Sequence, residues 1–277
     1  MPCGAEEQLE EGWTRVGKGK RYVPEYLEGL DPPVKGLTVE HVHADFEAKS
    51  KLWRNSTCRK AVLAILDKQQ PDAGWQLTEA VCLATNSFSR DNWQARQRSM
   101  MQWAAFFDIT QYLQNKQDVY VNVFAQEPNY TLLDKQFLEA LNVQVLEATH
   151  NTDYSTGLGE AKQFVVPSAF VFEPFMKISL ENVQDLFGAD PALYIGSSVE
   201  RSLRLLQDDI DAKAARDAAY GRTVVDIDRK KLGSCSAAEL MGGRRSYRMP
   251  RFEEDPNIFE GLLIYWKQPH EEDAEDG

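Results

Sequence analysis

Polar residues follow the carboxyl ends of four predicted strands, and they are the residues of this sequence best placed for chemistry. The candidates are Asn86, Ser87 and Ser89 after the first strand, Gln126 and Glu127 after the second, Glu173 after the fourth, and Gly196 and Ser197 after the fifth. In open parallel sheets, ligands bind beyond these strand ends, near the point where the strand order reverses. We therefore take these residues as the candidate ligand-binding set.

Two of the candidates are carboxylates that stand directly before a proline, in Glu127-Pro128 and Glu173-Pro174. A carboxylate at a strand end can hold a ribose hydroxyl, which would suit a nucleotide or an S-adenosylmethionine-type ligand. Proline also stops a strand and pre-sets a turn, so the same dipeptides can have the purely structural role of ending a strand. The structural interpretation is the one we favour from sequence.

The loop after the first strand, residues 84–89, contains no glycine. A dinucleotide fingerprint needs glycines there, because the backbone must approach a pyrophosphate closely. The hydroxyls of Ser87 and Ser89 can bind an anion at a helix N-terminus, or they can be N-caps, which we favour. The sequence also has neither a Walker loop nor a GxSxG elbow, so we predict no catalytic residue and identify no cofactor.

Metal and aromatic sites are weakly indicated. His41 and His43 are the one close histidine pair, and no third ligand stands near them in sequence, so we predict no metal site. A long predicted helix carries several aromatic residues that a helix covering a sheet needs for packing, and we expect them in the core. They are Trp93, Trp103, Phe106, Phe107 and Tyr112.

Short apolar runs alternate with helical patterns through the middle of the chain. Residues 80–84, 119–124, 143–146, 169–172 and 193–196 read as strands, and residues 91–114, 132–141, 180–187 and 199–207 as helices. A further helical region spans about 39–67, and residues 261–266 read as a last strand. This alternation predicts an α/β fold with an open, mostly parallel Rossmann-like sheet and helices on both faces. The last strand is expected to be antiparallel and at an edge.

The domain organisation follows from composition. We predict a flexible N-terminal arm over residues 1–37, a single domain over residues 38–269 and an acidic, disordered tail over residues 270–277. Within the domain, residues 78–207 form the core, residues 208–255 an insertion, and residues 259–267 the last strand.

The charge balance argues against nucleic acid as a partner. The 277 residues carry a net charge of −12, whereas duplex-binding proteins normally present a basic face. Of the 31 basic residues, two short clusters, Arg15 to Arg21 and Arg244 to Arg248, are the candidates for a nucleic-acid contact or an import signal, and we interpret them instead as solvated loop charge. No apolar run is long enough to cross a bilayer, and the isolated cysteines suit a reducing compartment, so we expect the cytoplasm or the nucleus.

Several segments together resemble one family, the "sensitivity to red light reduced"-like (SRR-like) domain proteins, in their fungal form. The most telling is residues 124–138, which looks like the family's Ala-Gln-Asp-Pro segment with a downstream Asp and Phe-Leu. The others are the opening Trp13-Thr14-Arg15-Val16, the strands at 81–84, 170–175 and 192–196, and the closing Tyr265-Trp266. The chain departs from the family at three places: the glycine after the first strand is missing, Glu127 stands where Asp is commoner, and Pro167-Ser168-Ala169 replaces Pro-His-Cys.

The resemblance implies a regulatory role and no defined reaction. Members are linked to light and clock signalling in plants, to microtubule and stress phenotypes in yeasts, and to haem metabolism in animals. We expect a regulatory or interaction protein with protein partners. The alternative is an enzyme or sensor that binds a nucleotide-like or S-adenosylmethionine-type ligand in the crevice at the strand ends.

Overall fold

The fold is built on a seven-stranded mixed sheet, seen in a computed structural model of the chain. The structure describes residues 30–148, 157–174, 176, 179–220 and 242–267. Of the two units into which the chain divides, everything described below belongs to residues 31–277. The predicted acidic tail and the arm as far as residue 29 lie outside the described residues.

Five strands of the sheet run parallel, and two strands from the C-terminal part complete it. The strands are β1 (Glu79–Leu83), β2 (Asn122–Gln126), β3 (Gln144–Val145), β4 (Ala169–Glu173), β5 (Leu193–Ser197), β6 (Arg244–Arg248) and β7 (Leu262–Lys267). Their order is β3-β2-β1-β4-β5-β7-β6. β7 is antiparallel to both β5 and β6. The predicted α/β fold with a mostly parallel sheet and an antiparallel strand at its C-terminal end is therefore confirmed.

Within the described residues, six α-helices lie around the sheet, and a polar side chain caps the N-terminus of each. They are α1 (Val39–Asn55), α2 (Thr57–Lys68), α3 (Trp93–Gln117), α4 (Leu132–Ala140), α5 (Leu180–Gly188) and α6 (Val199–Ala219). The caps are Thr38, Ser56, Asn92, Thr131, Ser179 and Ser198. Such caps satisfy amides that the first helical turn leaves without a partner. Ser56 is extended and separates α1 from α2, so the helical region predicted at 39–67 is two helices.

Each face of the sheet is covered by its own apolar layer. In β1, Ala80 and Cys82 point to the layer that also holds Trp53, Trp103 and Phe106, whereas Val81 and Leu83 point to the layer of α5 and α6. A strand buried on both faces needs apolar residues at every position, which explains the uninterrupted run. The aromatic face of α3 is buried as predicted for Trp103 and Phe106, but Trp93 is 66% exposed.

A buried carboxylate joins α1 and α2 to the long helix α3. Asp108 of α3 accepts hydrogen bonds from Trp53 Nε1 at 3.0 Å and from Arg59 Nε at 2.6 Å. The indole of Trp53 is fully buried, so its N–H needs this partner. The three helices therefore pack as one layer on the face of the sheet to which Ala80 and Cys82 point.

The C-terminal third differs most from the sequence prediction. Helix α6 runs to Ala219, twelve residues beyond the predicted end at 207, and residues 244–248 form β6 within the predicted insertion. Most side chains in both segments are exposed, so neither shows the apolar period that marks a packed element. β7 occupies the predicted last strand, with β6 outside it as the edge. Among the described residues, no helix is long and apolar enough to cross a membrane.

Candidate functional site at the carboxyl ends of the parallel strands

The strand order reverses between β1 and β4, and the candidate residues surround that point. β1 and β4 are in parallel register with Cys82 beside Phe172, which places Leu83 level with Glu173 at the strand ends. In an open α/β sheet this is where a ligand crevice forms. The structure gathers the predicted residues, apart from Gln126, into two groups, one beside β1 and β2 and one beside β4 and β5.

The first group is held together by Asp134, a residue that the sequence analysis did not select. Its Oδ2 accepts hydrogen bonds from Ser87 Oγ at 2.5 Å and from the Thr131 amide at 2.8 Å, and its Oδ1 accepts one from the Phe88 amide at 3.1 Å. The carboxyl is fully buried, and burial raises its pKa. Asp134 therefore ties the loop after β1 to the start of α4. The Thr131-x-x-Asp134 capping pattern is the sequence signal that marks this position.

Glu127 forms a second tie between the same two loops. Its Oε2 accepts the Asn86 amide at 2.9 Å and its Oε1 accepts the Asn129 amide at 2.9 Å. The side chain is 8% exposed, and burial raises its pKa even though the two amides lower it. Both carboxylate oxygens are thus already bonded to backbone of the chain.

The two serines of the loop are buried and bonded within it. Ser89 Oγ lies 2.6 Å from Thr131 Oγ1, and the Ser89 amide donates to Ser87 Oγ at 3.1 Å. The cap of the following helix is Asn92, whose side chain accepts the Ala95 amide. The favoured interpretation of Ser87 and Ser89 as N-caps is therefore wrong, because the loop continues for several residues before α3 begins.

Residues 31–34, which the sequence places in the flexible arm, lie along this loop. The Val34 amide donates to the Ser89 carbonyl at 2.8 Å, and the Asp91 amide donates to the Pro32 carbonyl at 2.7 Å. Arg90 adds a bond from Nη1 to the Asp31 carbonyl at 2.8 Å. The loop after β1 is consequently fixed on one side by this segment and on the other by α4.

Two residues of the loop have the left-handed backbone that normally favours glycine. Ala84 has φ of 54° and Asn86 has φ of 68°. Asn86 tolerates this conformation because its short side chain hydrogen-bonds locally, here from the Ser87 amide at 2.8 Å. Ala84 has no such compensation. The resemblance leads one to expect a glycine in this loop. The loop has none, although two of its residues have the left-handed conformation that glycine adopts most easily.

We expect Ala84→Gly to stabilise the protein by about 1 kcal/mol, because glycine adopts the left-handed region without steric cost. The measurement is the free energy of unfolding from urea denaturation. Ala64→Gly, at an exposed position inside α2, is the matched control and should destabilise by about 1 kcal/mol. Equal destabilisation by both changes would show that the backbone of Ala84 is not strained.

The second group is centred on Glu173 at the end of β4. Its carboxylate accepts hydrogen bonds from Tyr194 Oη at 2.8 Å, from the Ser197 amide at 3.3 Å and from the Met176 amide. Gly196 lies against this group, and a Cβ there would come within 2.8 Å of the Glu173 carbonyl oxygen. Glu173 is fully buried, and burial raises its pKa to about 7. The group therefore joins the ends of β4 and β5.

Glu173 should make stability fall as the pH rises from 5 to 8. Its folded-state pKa lies above the ordinary value of 4.5, so the stability that it contributes is complete below that value and is lost as the pH approaches 7. Urea denaturation across this range should show a loss roughly 2 kcal/mol larger in the wild type than in Glu173→Gln. Parallel pH profiles for the two proteins would exclude Glu173 as the titrating group.

The remaining candidate, Gln126, belongs to neither group. Its Nε2 donates to the Leu158 carbonyl at 2.9 Å and its Oε1 accepts the Ala161 amide at 2.9 Å. These bonds hold the 3₁₀ turn Gly159–Gln163 against the end of β2. The histidine pair lies elsewhere: His41 belongs to the N-terminal capping box of α1, and His43 packs edge-on against Phe137.

A match to a family model identifies the family to which the chain belongs. The model of the SRR1 domain matches residues 56–266, which is most of the chain. The chain belongs to the SRR1 domain family. Comparison with curated proteins and with solved structures gives no match.

The boundaries of the SRR1 domain match can be compared with the packing. The match begins at the cap of α2 and ends one residue before the end of β7, so it includes six strands and all but the last residue of the seventh. Helix α1 precedes the match, yet its buried Phe46 contacts Phe107 and Phe137, and its Trp53 is bonded to Asp108. In this chain the packed SRR1 domain therefore includes α1.

Three residues of the candidate site were missed from the sequence, namely Thr131, Asp134 and Tyr194. Each is the partner of a residue that was selected. A carboxylate with a raised pKa at a strand end can act as a general acid or base or hold a hydroxyl. In this structure each carboxylate oxygen of the group instead accepts bonds from the chain itself.

Proposed function

We propose that this protein is a regulatory or interaction protein whose SRR1 domain serves as a binding scaffold and performs no reaction of its own. The observation that carries the proposal is the bonding of the three buried carboxylates of the candidate site, two at strand ends and one in the first turn of α4. Glu127 accepts two backbone amides, whereas Asp134 and Glu173 each accept two amides and one hydroxyl. All three are buried, so each carboxylate serves the fold.

Family membership supports the same proposal, because the resemblance to SRR-like proteins implies a regulatory role and gives no catalytic residues to carry over. The strand ends are where an α/β enzyme of this type would place its reacting groups. A scaffold has no such requirement, and its strand ends can be used to fix loops. We propose that protein partners bind the outer surfaces of the domain.

One observation favours a second candidate function, the binding of a nucleotide or S-adenosylmethionine-type ligand at the β1–β4 reversal. Left-handed backbone at Ala84 and Asn86 concentrates strain at this point, and strain of this kind is often kept where a ligand binds. Glu173 adds a carboxyl with a pKa of about 7 at the same place. A ligand there would have to replace bonds that the carboxylates already make.

Calorimetric titration of the full chain distinguishes the two functions. The panel is ATP, GTP, NAD, S-adenosylmethionine and haemin, each to 1 mM, and the proposal expects no saturable heat. The proposal also expects that affinity purification from the native cell isolates a stoichiometric complex of this chain with a partner protein.

Saturable binding that is lost in Glu173→Gln and kept in Glu139→Gln would contradict the scaffold function and support the ligand-binding one. Glu139 is exposed on α4 and serves as a matched carboxylate outside the site.

A further inference from the structure

Strand β6 forms the outer edge of the sheet on the side of β5. All five of its residues pair with β7, from Arg244 beside Lys267 to Arg248 beside Leu263, without a bulge. Within the part of the chain that the structure describes, no strand pairs with the other side of β6. An edge of this kind presents backbone N–H and C=O groups that can pair with an added strand.

The exposed charge on β6 is positive. Arg245 and Arg248 are both exposed, and neither makes a salt bridge or a side-chain hydrogen bond within the described residues. Arg244 differs from them, because its side chain is buried and bonded to Asp190. Two free guanidinium groups on one short strand are notable in a chain with a net charge of −12.

An aromatic side chain stands between the two free arginines. Tyr247 stacks on Trp266 of β7 with ring centroids 5.6 Å apart and an interplanar angle of 13°, and it remains 45% exposed. Alternation along the strand places Arg245 and Tyr247 on one face of the sheet, and Ser246 and Arg248 on the other. The edge therefore carries one cation on each face and a rigid apolar surface beside one of them.

These features select among the possible occupants. A second copy of β6 would bring arginines opposite arginines, and like charges across paired strands destabilise the pair. Duplex or single-stranded nucleic acid would be repelled by the net charge of the chain and would leave the backbone edge unused. An extended segment with acidic side chains satisfies both the backbone groups and the two arginines.

We propose that β6 binds an acidic, extended segment of a partner protein as an added strand of the sheet. The inference rests on the proposed interaction function and names the chemistry of the partner. Arg245 and Arg248 select acidic side chains on the two faces, and the backbone of β6 supplies the pairing.

The probe is a blocked peptide with the repeat Glu-Glu-Val-Val, which places glutamates on both faces of an added strand, titrated into the full chain by calorimetry at low salt. We expect saturable binding that weakens at least tenfold in the double variant Arg245→Glu/Arg248→Glu. The matched control, Arg201→Glu/Arg204→Glu, reverses two exposed arginines on α6 and should change the affinity less than twofold. The milder pair Arg245→Ala/Arg248→Ala should weaken binding severalfold, which keeps the test valid if the charge reversal impairs folding.

A second measurement tests backbone pairing. The same peptide with N-methyl groups on alternate residues should bind at least tenfold more weakly, because it cannot complete the ladder. Hydrogen exchange should slow at amides of β6 when the unmodified peptide is bound.

Undiminished binding of the methylated peptide, absence of peptide binding, or an equal loss in the α6 control would each overturn the proposal. Preferential, β6-dependent binding of oligouridylate would overturn it in favour of nucleic acid. None of these outcomes affects the scaffold function, which stands or falls with the small-ligand titrations.

Discussion

Replacement of Asp134 with alanine should lower the free energy of unfolding by about 4 kcal/mol. The change leaves the buried Phe88 amide, the partly buried Thr131 amide and the buried Ser87 hydroxyl without their acceptor. Each buried donor that loses its partner costs roughly 1–3 kcal/mol. Removal of a buried carboxylate recovers part of this cost, because burial disfavours its charged form. Urea denaturation at pH 7 gives the measurement.

Two comparisons make the Asp134 result interpretable. Glu139→Ala on the exposed face of the same helix should change stability by less than about 0.5 kcal/mol. Hydrogen exchange in Asp134→Ala should accelerate at Phe88 and Thr131 before it accelerates in β1. A loss below about 1 kcal/mol would mean that the loops after β1 and β2 hold together without this carboxylate.

Gly196→Ala should destabilise the protein by about 3 kcal/mol. The new Cβ would lie 2.5 Å from Cζ of Tyr194 and 2.8 Å from the carbonyl oxygen of Glu173, and both distances are shorter than real carbon contacts allow. Tyr194 is 1% exposed and hydrogen-bonded to Glu173, so its ring cannot move aside freely. Overpacking of a dense core typically costs about 1–3 kcal/mol, and the backbone contact places this site at the upper end.

Gly188→Ala is the matched control for this change. Gly188 is the last residue of α5 and has open space where a Cβ would stand, so alanine there should be neutral or slightly stabilising. The Gly196→Ala protein should also show a larger pH dependence from Glu173, because displacement of the Tyr194 hydroxyl removes a hydrogen bond that lowers the pKa of this buried carboxyl. Unchanged stability in Gly196→Ala would show that β4 and β5 separate easily at their ends.

The parallel part of the fold could be predicted because burial on both faces leaves a clear sequence pattern. The run from Ala80 to Leu83 has no polar residue, and a helix of the right length follows it. The edge strand β6 lacks this signal, since four of its five residues are exposed and three are arginines. The extension of α6 is hidden for the same reason, because a charged, solvated helix has no apolar stripe.

The sequence predicts where the candidate residues lie in the fold, but it does not predict which groups they hydrogen-bond to. The rule that ligands bind at strand ends selected Glu127 and Glu173 correctly as residues of those ends. Their partners are set by contacts between segments distant in the sequence, such as Asn86 with Glu127 and Tyr194 with Glu173. Sequence periodicity carries no information about such pairs. Asp134 is different, because its capping pattern with Thr131 is local and could have been recognised.

The position of β7 between β5 and β6 has a consequence for synthesis on the ribosome. β5 ends at Ser197, but its antiparallel partner begins at Leu262, so 65 positions must be translated before the pair can form. At roughly 5–20 residues per second this takes about three to thirteen seconds. During that time the β5 edge that later pairs with β7, with Leu193, Tyr194 and Ile195, lacks this partner, and an unpaired apolar edge invites aggregation. The nascent chain is therefore expected to depend on chaperones until its last strand emerges.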